Sequence, residues 1–367
     1  MEATKTATNK TQQRLISLDA FRGLTIAGMI IVNTPGSWSN VYPPLLHASW
    51  HGVTPTDLVF PFFVFIMGVS ITLAFTKQLE VNKPKSEIIK KLVIRSLKIF
   101  ALGIFLALFP KFDFMNLRIP GVLQRIAICY FACGLLFLHT DWKTQAKIGG
   151  ITLLLYWAAM MLIPVPGVGI GVLEPGKNLA AYIDSLLVPG RLYQGNWDPE
   201  GLLSTFPAIV TGITGMLAGH LIISNMDQNK KIVWLFTFGF LSFILGGIWD
   251  WFFPINKNLW SSSYVLYSSG LAGLTLACSI WFVDVLGYKK WTKIGLIFGA
   301  NAITAYVLSG ILYTIFNLFS LRSVFYNGLV DFGMDPKMAS LLWALFYAFM
   351  CFIPVWILYR KKIYIKL

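Results

Sequence analysis

The chain has 367 residues, 56% of them hydrophobic and only 13% charged, with a formal net charge of +14. A soluble domain carries roughly a quarter charged residues, so this balance excludes an ordinary soluble enzyme and points to a polytopic membrane protein. The basic residues lie in short segments between apolar runs rather than on one soluble face, which reads as membrane topology and argues against nucleic acid as a partner.

Residues 1–14 are polar and read as a cytoplasmic tail. No apolar stretch there is followed by a small-residue cleavage site, so no cleaved signal peptide is expected. Spanning a hydrocarbon core takes about twenty apolar residues. Ten segments meet that length: 15–34, 56–76, 92–110, 120–139, 146–164, 202–223, 232–253, 263–286, 293–316 and 339–360. The expected fold is therefore all-α and polytopic, a single transmembrane domain over 1–367 with about ten membrane helices. An even number of spans places both termini on one side. The connections on that side carry 22 of the 30 Lys and Arg residues, and those on the other side carry 8. The positive-inside rule then makes the termini cytoplasmic.

The first segment carries Asp19 and Arg22, three residues apart and spaced for an ion pair. It ends at Asn33, which serves either as a helix cap or as an amide donor to a developing oxyanion. A loop of about twenty residues without Lys or Arg follows, assigned by the charge count to the non-cytoplasmic side. It holds His47 and His51, two of only four histidines in the chain. Imidazole titrates near neutral pH and serves as base, acid or nucleophile. A loop histidine beside tryptophans also serves simply as an interfacial residue, and both readings stand for His47. Gly52 and Pro55 oppose a helix that would bring His47 and His51 together, so no metal site is expected. Thr54-Pro55-Thr56-Asp57 has the form of a capping box at the start of the second segment. Asp57 is either that cap or the carboxylate that orients an imidazole.

Further along, Arg118, Gln124 and Arg125 flank the start of the fourth segment in RIPGVLQR. Residues 165–201 form a long Gly- and Pro-rich connection, of a length that is usually functional or disordered. Asp198 and Glu200 precede the sixth segment in WDPEG, with Asp198 expected as N-cap and Pro199 as first helical residue. Asp250 lies near the outer end of the seventh segment, and Asn256, Lys257 and Asn258 follow in PINKNLWSSS. Asn301 interrupts the ninth. Ionisable groups at membrane depth are functional candidates, although each alone could be a cap or half of an ion pair. All four cysteines fall in apolar runs and read as packing residues. No Gly-rich phosphate loop is present.

Five ordered blocks carry a more specific signal than any single motif: LISLDAFRGLTIAGMIIVN, HASWHGVTPTDLVFPFFVFIMGVSI, RIPGVLQRIAICYF, DPEGLLSTFPAIVTGITGMLAG and PINKNLWSSSYVLYSSGLA. Together they resemble the catalytic membrane region of the heparan-α-glucosaminide N-acetyltransferase family. The resemblance implies a transmembrane acyltransferase taking acetyl from cytoplasmic acetyl-CoA, as co-substrate, to the amine of a glucosamine-like sugar across the membrane. It matches the family's active-site histidine to His47 and its catalytic asparagine to Asn33, and leaves His51 without assigned chemistry. Asp57 is expected in support. Arg118, Gln124, Arg125, Asp198, Glu200, Asp250, Asn256, Lys257 and Asn258 are expected to contact substrate or cofactor. The large lumenal N-terminal domain and preceding helix of the lysosomal enzyme have no counterpart, which implies a bacterial-type homologue in the inner (cytoplasmic) membrane. The partners implied are the amino-sugar acceptor and the lipid bilayer, with a homodimer compatible and nucleic acid not expected.

Lys77, Lys83, Lys85, Lys90, Lys91, Arg95 and Lys98 form the densest basic stretch and suit the anionic nucleotide of CoA, although the positive-inside rule predicts them in any case. Two other functions fit the same residues. An O-acyltransferase of a cell-envelope polysaccharide would use a hydroxyl acceptor, and a transporter would use the polar mid-membrane groups without chemistry.

Overall fold

The computed structural model describes residues 15–365, and the expected cytoplasmic tail lies outside them. Among the described residues the chain is all-helical, with isolated backbone bridges but no strand. In chain order the helices are α1 (Ile16–Asn33), α2 (Val59–Glu80), α3 (Lys85–Leu108), α4 (Val122–His139), α5 (Trp142–Leu162), α6 (Leu179–Leu187) and α7 (Thr205–Ile223). There follow α8 (Gln228–Trp249), α9 (Ser262–Ser279), α10 (Lys293–Ala300), α11 (Ala302–Leu318), α12 (Leu321–Asp331) and α13 (Pro336–Arg360).

Every expected segment falls on a helix, but not every one makes a simple span. Eight described helices are long and apolar enough to cross a bilayer, and α10 with α11 makes a ninth if that bent pair is one crossing. The bend is 75°. It falls at Asn301, whose amide donates to Ile363 O at 3.1 Å and accepts from Ile365 N–H at 2.9 Å, so the interrupting residue fastens the chain's end. The expected third span is α3, which carries Lys85, Glu87, Lys90, Lys91, Arg95 and Lys98 and so has only 99–108 free of charge. The 165–201 connection is not wholly irregular: α6 lies within it, capped by Asn178 Oδ1 accepting Ala181 N–H at 2.9 Å. Asp19 and Arg22 do pair, at 3.5 Å.

Burial grades the helices from centre to rim. The span that includes α2 is 67% buried and α8 only 17%, so α2 is central and α8 turns Phe236, Phe240 and Ile244 outward to lipid. Small residues let α2 and α7 touch. A Cβ on Gly68 would stand 2.0 Å from Gly212 O, and one on Gly215 would stand 2.0 Å from Phe65 O. Close backbone approach of this kind replaces hydrophobic collapse as the packing force between helices in lipid. It fixes α2 and so fixes the turn that enters it, where Asp57 sits.

Candidate active site

The loop between α1 and α2 is shaped by prolines. Pro43–Leu45 and Pro55–Leu58 form short 3-10 turns, the second continuing into α2. Thr54 is the cap of that turn. Its N–H donates to Asp57 Oδ2 at 3.0 Å, and Asp57 N–H donates to Thr54 O at 3.0 Å. The same carboxylate oxygen accepts Ala48 N–H at 2.9 Å, and Asp57 is only 1% exposed. Its other oxygen receives His47 Nδ1–H at 2.7 Å. The two readings of Asp57, helix cap and orienter of an imidazole, are thus one side chain using its two oxygens. Tyr264 O–H donates to the Asp57 carbonyl at 2.5 Å from α9, which anchors the turn from below.

Asp57 decides which ring nitrogen of His47 holds the proton. A carboxylate that accepts from Nδ1 leaves Nε2 with a free lone pair. The His47 side chain is 38% exposed, so the ring stands open at the surface of the loop.

Lys257 comes to the same place from the turn between α8 and α9. Its Nζ lies 3.3 Å from His47 Nε2, 2.9 Å from Nδ1 and 3.6 Å from Asp57 Oδ1. Burial lowers the Lys257 pKa, opposed by the negative charges of Asp57 and Glu200. The neighbouring candidates build this turn. Asp250 Oδ1 accepts Ile255 N–H, and Asn256 Oδ1 accepts Leu259 N–H at 2.9 Å. Gly52 N–H donates to Ile255 O at 2.8 Å, lacing the turn to the histidine loop. His51 stands beside it, 3.4 Å from Asn256 Nδ2, its pKa lowered by burial against the pull of Asp250. Asn258 is half-buried in this turn.

A second charged group lies where α4 and α7 begin. Arg118 Nε and Nη2 each reach an Asp198 oxygen at 2.7 Å, and Nη2 reaches Glu200 Oε2 at 2.6 Å. Asp198 therefore does not cap a helix as expected. α7 starts only at Thr205, and the Asp198 side chain is fully buried against Arg118, Tyr193 N–H and Glu200 N–H. Burial alone would lower the Arg118 pKa, but the two carboxylates outweigh it and the net direction is upward. The Arg118 guanidinium also lies 4.8 Å from the ring centre of Tyr193. Arg125 is 1% exposed and donates to Gly201 O at 3.0 Å and to the Ser204 hydroxyl. The ring of Trp260 lies 5.1 Å from its guanidinium. Gln124 fills the space that lets α3 approach, since a Cβ on Gly103 would stand 2.3 Å from its Oε1.

His47, Asp57 and Lys257 are thus brought together, Asn256 stands beside His51 in the adjoining turn, and Arg118, Asp198 and Glu200 form their own cluster. Asn33 is exposed at the end of α1 and is not hydrogen-bonded to His47, Asp57 or Lys257. Two supporting residues escaped the sequence reading. Tyr264 gives no local signal. Trp260 has φ 51, a strained value for a bulky residue, and its Nε1 donates to Thr211 Oγ1 at 3.0 Å.

Fold and site define a class: a multi-pass, all-helical membrane protein with a carboxylate-oriented imidazole at one end of its helix bundle. Its family follows from comparison. The profile of the family described as heparan-alpha-glucosaminide N-acetyltransferase, catalytic, matches residues 14–246, and the chain belongs to that family. It is 32% identical over 413 aligned residues to proteins named heparan-alpha-glucosaminide N-acetyltransferase from mouse and from human. Those alignments cover 96% of this chain but 60% of each relative.

Proposed function

We propose that this protein moves acetyl from acetyl-CoA, bound from the cytoplasmic side, to the amine of a glucosamine-like sugar on the opposite side of the inner membrane. The observation that carries the proposal is the 2.7 Å contact of His47 Nδ1 with buried Asp57, which leaves the Nε2 lone pair free on a side chain that is 38% exposed. Attack of an amine on a thioester needs a base for the amine proton and donors for the tetrahedral oxyanion. Nε2 supplies the base. It also serves as the nucleophile in a two-step route, in which an acetyl-imidazole forms and the amine then attacks it. The Asp57 carboxylate stabilises the imidazolium in either route. Asn33, carried over by family resemblance, is the proposed oxyanion donor.

Lys77, Lys85, Lys90 and Lys91 are exposed around the far end of α2 and the start of α3, and Arg95 and Lys98 are exposed further along α3. They form the proposed contact for the CoA phosphates. The α2 axis separates that end from Asp57 by about 33 Å at 1.5 Å per residue. The bilayer thus lies between the nucleotide and the imidazole, as transfer across a membrane requires. Arg118, Asp198 and Glu200 are proposed to shape the acceptor side, since the negative charge of Glu200 acts on Lys257.

Sealed inverted vesicles test the proposal. Acetyl-CoA is added outside, to the cytoplasmic face, and glucosamine is trapped inside. Alkali-stable N-acetylglucosamine in the lumen is the expected product. Acetyl-CoA consumption that yields an alkali-labile ester, or no lumenal amide, overturns the reading.

A further inference from the structure

An acceptor amine has to come within about 3 Å of the base that takes its proton. A primary amine of the chain itself already lies beside that base. Lys257 Nζ lies 2.9 Å from His47 Nδ1 and 3.3 Å from Nε2, against the imidazole rather than on the Nε2 lone pair, and Asp57 Oδ1 at 3.6 Å helps to keep it there. The Lys257 side chain is only 18% exposed. Its backbone is held on both sides, by Trp260 N–H donating to Lys257 O at 3.1 Å and by Ser261 N–H donating to Asn256 O at 3.1 Å. This is a built arrangement rather than a surface lysine that happens to reach the site. Burial also favours the uncharged, nucleophilic form of the amine relative to an exposed lysine, while Asp57 opposes it.

We propose that Lys257 is a built-in competitor of the acceptor: its amine lies against His47 until an acceptor displaces it, and it is itself acetylated when acetyl thioester arrives with no acceptor present. The proposal rests on the acetyltransferase reading. In the reaction the Nζ–C bond forms and the C–S bond of the thioester breaks. If His47 is acetylated first, the bond broken in the second step is Nε2–C. The net change is acetyl thioester plus lysyl ammonium giving Nζ-acetyl-Lys257, thiol and one proton, with no oxidant or reductant. The modified side chain has lost the charge that balanced Asp57 and leaves an acetamide in front of Nε2. Self-acetylation therefore switches the site off, and an abundant acceptor protects it.

The experiment uses purified full-length protein with isotopically labelled acetyl-CoA and no acceptor, read by peptide mass spectrometry. Acetyl is expected to accumulate on Lys257 and to survive mild hydroxylamine, which removes acetyl from imidazole and from hydroxyls. Saturating glucosamine is expected to suppress the label, and His47→Ala to slow it by about 10²-fold or more. Two results overturn the proposal alone: an unmodified Lys257 in protein that acetylates glucosamine, or equal labelling of Lys257 in His47→Ala. Absence of both glucosamine acetylation and Lys257 labelling overturns the acetyltransferase reading beneath it.

Discussion

Asp57→Asn isolates the tautomer argument from the stability of the fold. Asp57 Oδ2 accepts two backbone N–H groups, from Ala48 and Thr54, at 2.9 and 3.0 Å. An asparagine must therefore place its carbonyl oxygen there. Its NH₂ then falls at the Oδ1 position, 2.7 Å from His47 Nδ1 and 3.6 Å from Lys257 Nζ. An NH₂ cannot accept, so Nδ1 becomes the acceptor and the ring proton moves to Nε2. The base is lost although the loop is intact. Holding a catalytic imidazole in the wrong tautomer costs about 10⁴-fold in kcat, equivalent to about 5 kcal/mol at the transition state. The fold should lose far less, about 1–3 kcal/mol, because both backbone bonds persist and only the charge-assisted contacts to His47 and Lys257 weaken. Asp57→Ala, by contrast, strips every partner from a buried site and should cost about 3–5 kcal/mol in stability as well. The assay is steady-state transfer to an amino sugar beside thermal melting of the same preparations. Turnover of Asp57→Asn within about threefold of wild type, a difference of under 1 kcal/mol, would refute the tautomer argument.

Other expectations follow from the same geometry. Asn33→Ala should slow turnover by about 10²–10³-fold if its amide meets the oxyanion; unchanged kcat removes it from the mechanism and leaves the role to another donor. Arg118→Ala leaves Asp198 and Glu200 uncompensated in a buried cluster and should destabilise by about 3–5 kcal/mol. Arg118→Lys should not restore that loss, because an ammonium cannot repeat the two-pronged contact; full recovery of the melting temperature in the lysine variant contradicts this. Asp184 gives a pH effect. Burial raises its pKa from 3.8 to about 6, so the folded chain keeps a proton that the unfolded chain has released. Folded stability should therefore fall as pH rises from about 4 to about 6 and level off above, by at most about 3 kcal/mol from this group. The melting-temperature difference between wild type and Asp184→Asn should change between pH 5 and pH 7 by that route, and a pH-independent difference argues against it.

The helices were legible because lipid forces long apolar runs, and the capping motif at Thr54–Asp57 was legible because it lies within four residues. Asn301 stood out as a polar break in an apolar run and is where the chain bends. What the sequence hid is long-range pairing. Lys257 meets His47 across 210 positions, and Arg118 meets Asp198 across 80. No local signal distinguishes a carboxylate bound for an arginine from one that caps a helix, and Asp198 beside Pro199 looks like the latter. α6 was missed because nine residues with glycine and proline on both sides lack the length of a span. The charge on α3 left its membrane portion shorter than its apolar half had suggested.

The central claim is that Nε2 of His47 carries the transfer. The most direct measurement is acetyl transfer by purified His47→Ala beside its affinity for acetyl-CoA. His47 is a half-exposed loop side chain that adds little to the core, so folding and acetyl-CoA affinity should stay near those of wild type. Transfer should fall by about 10²–10⁴-fold, the usual worth of a general base, or further if the imidazole is itself acetylated. Near-normal transfer by the alanine variant contradicts the account.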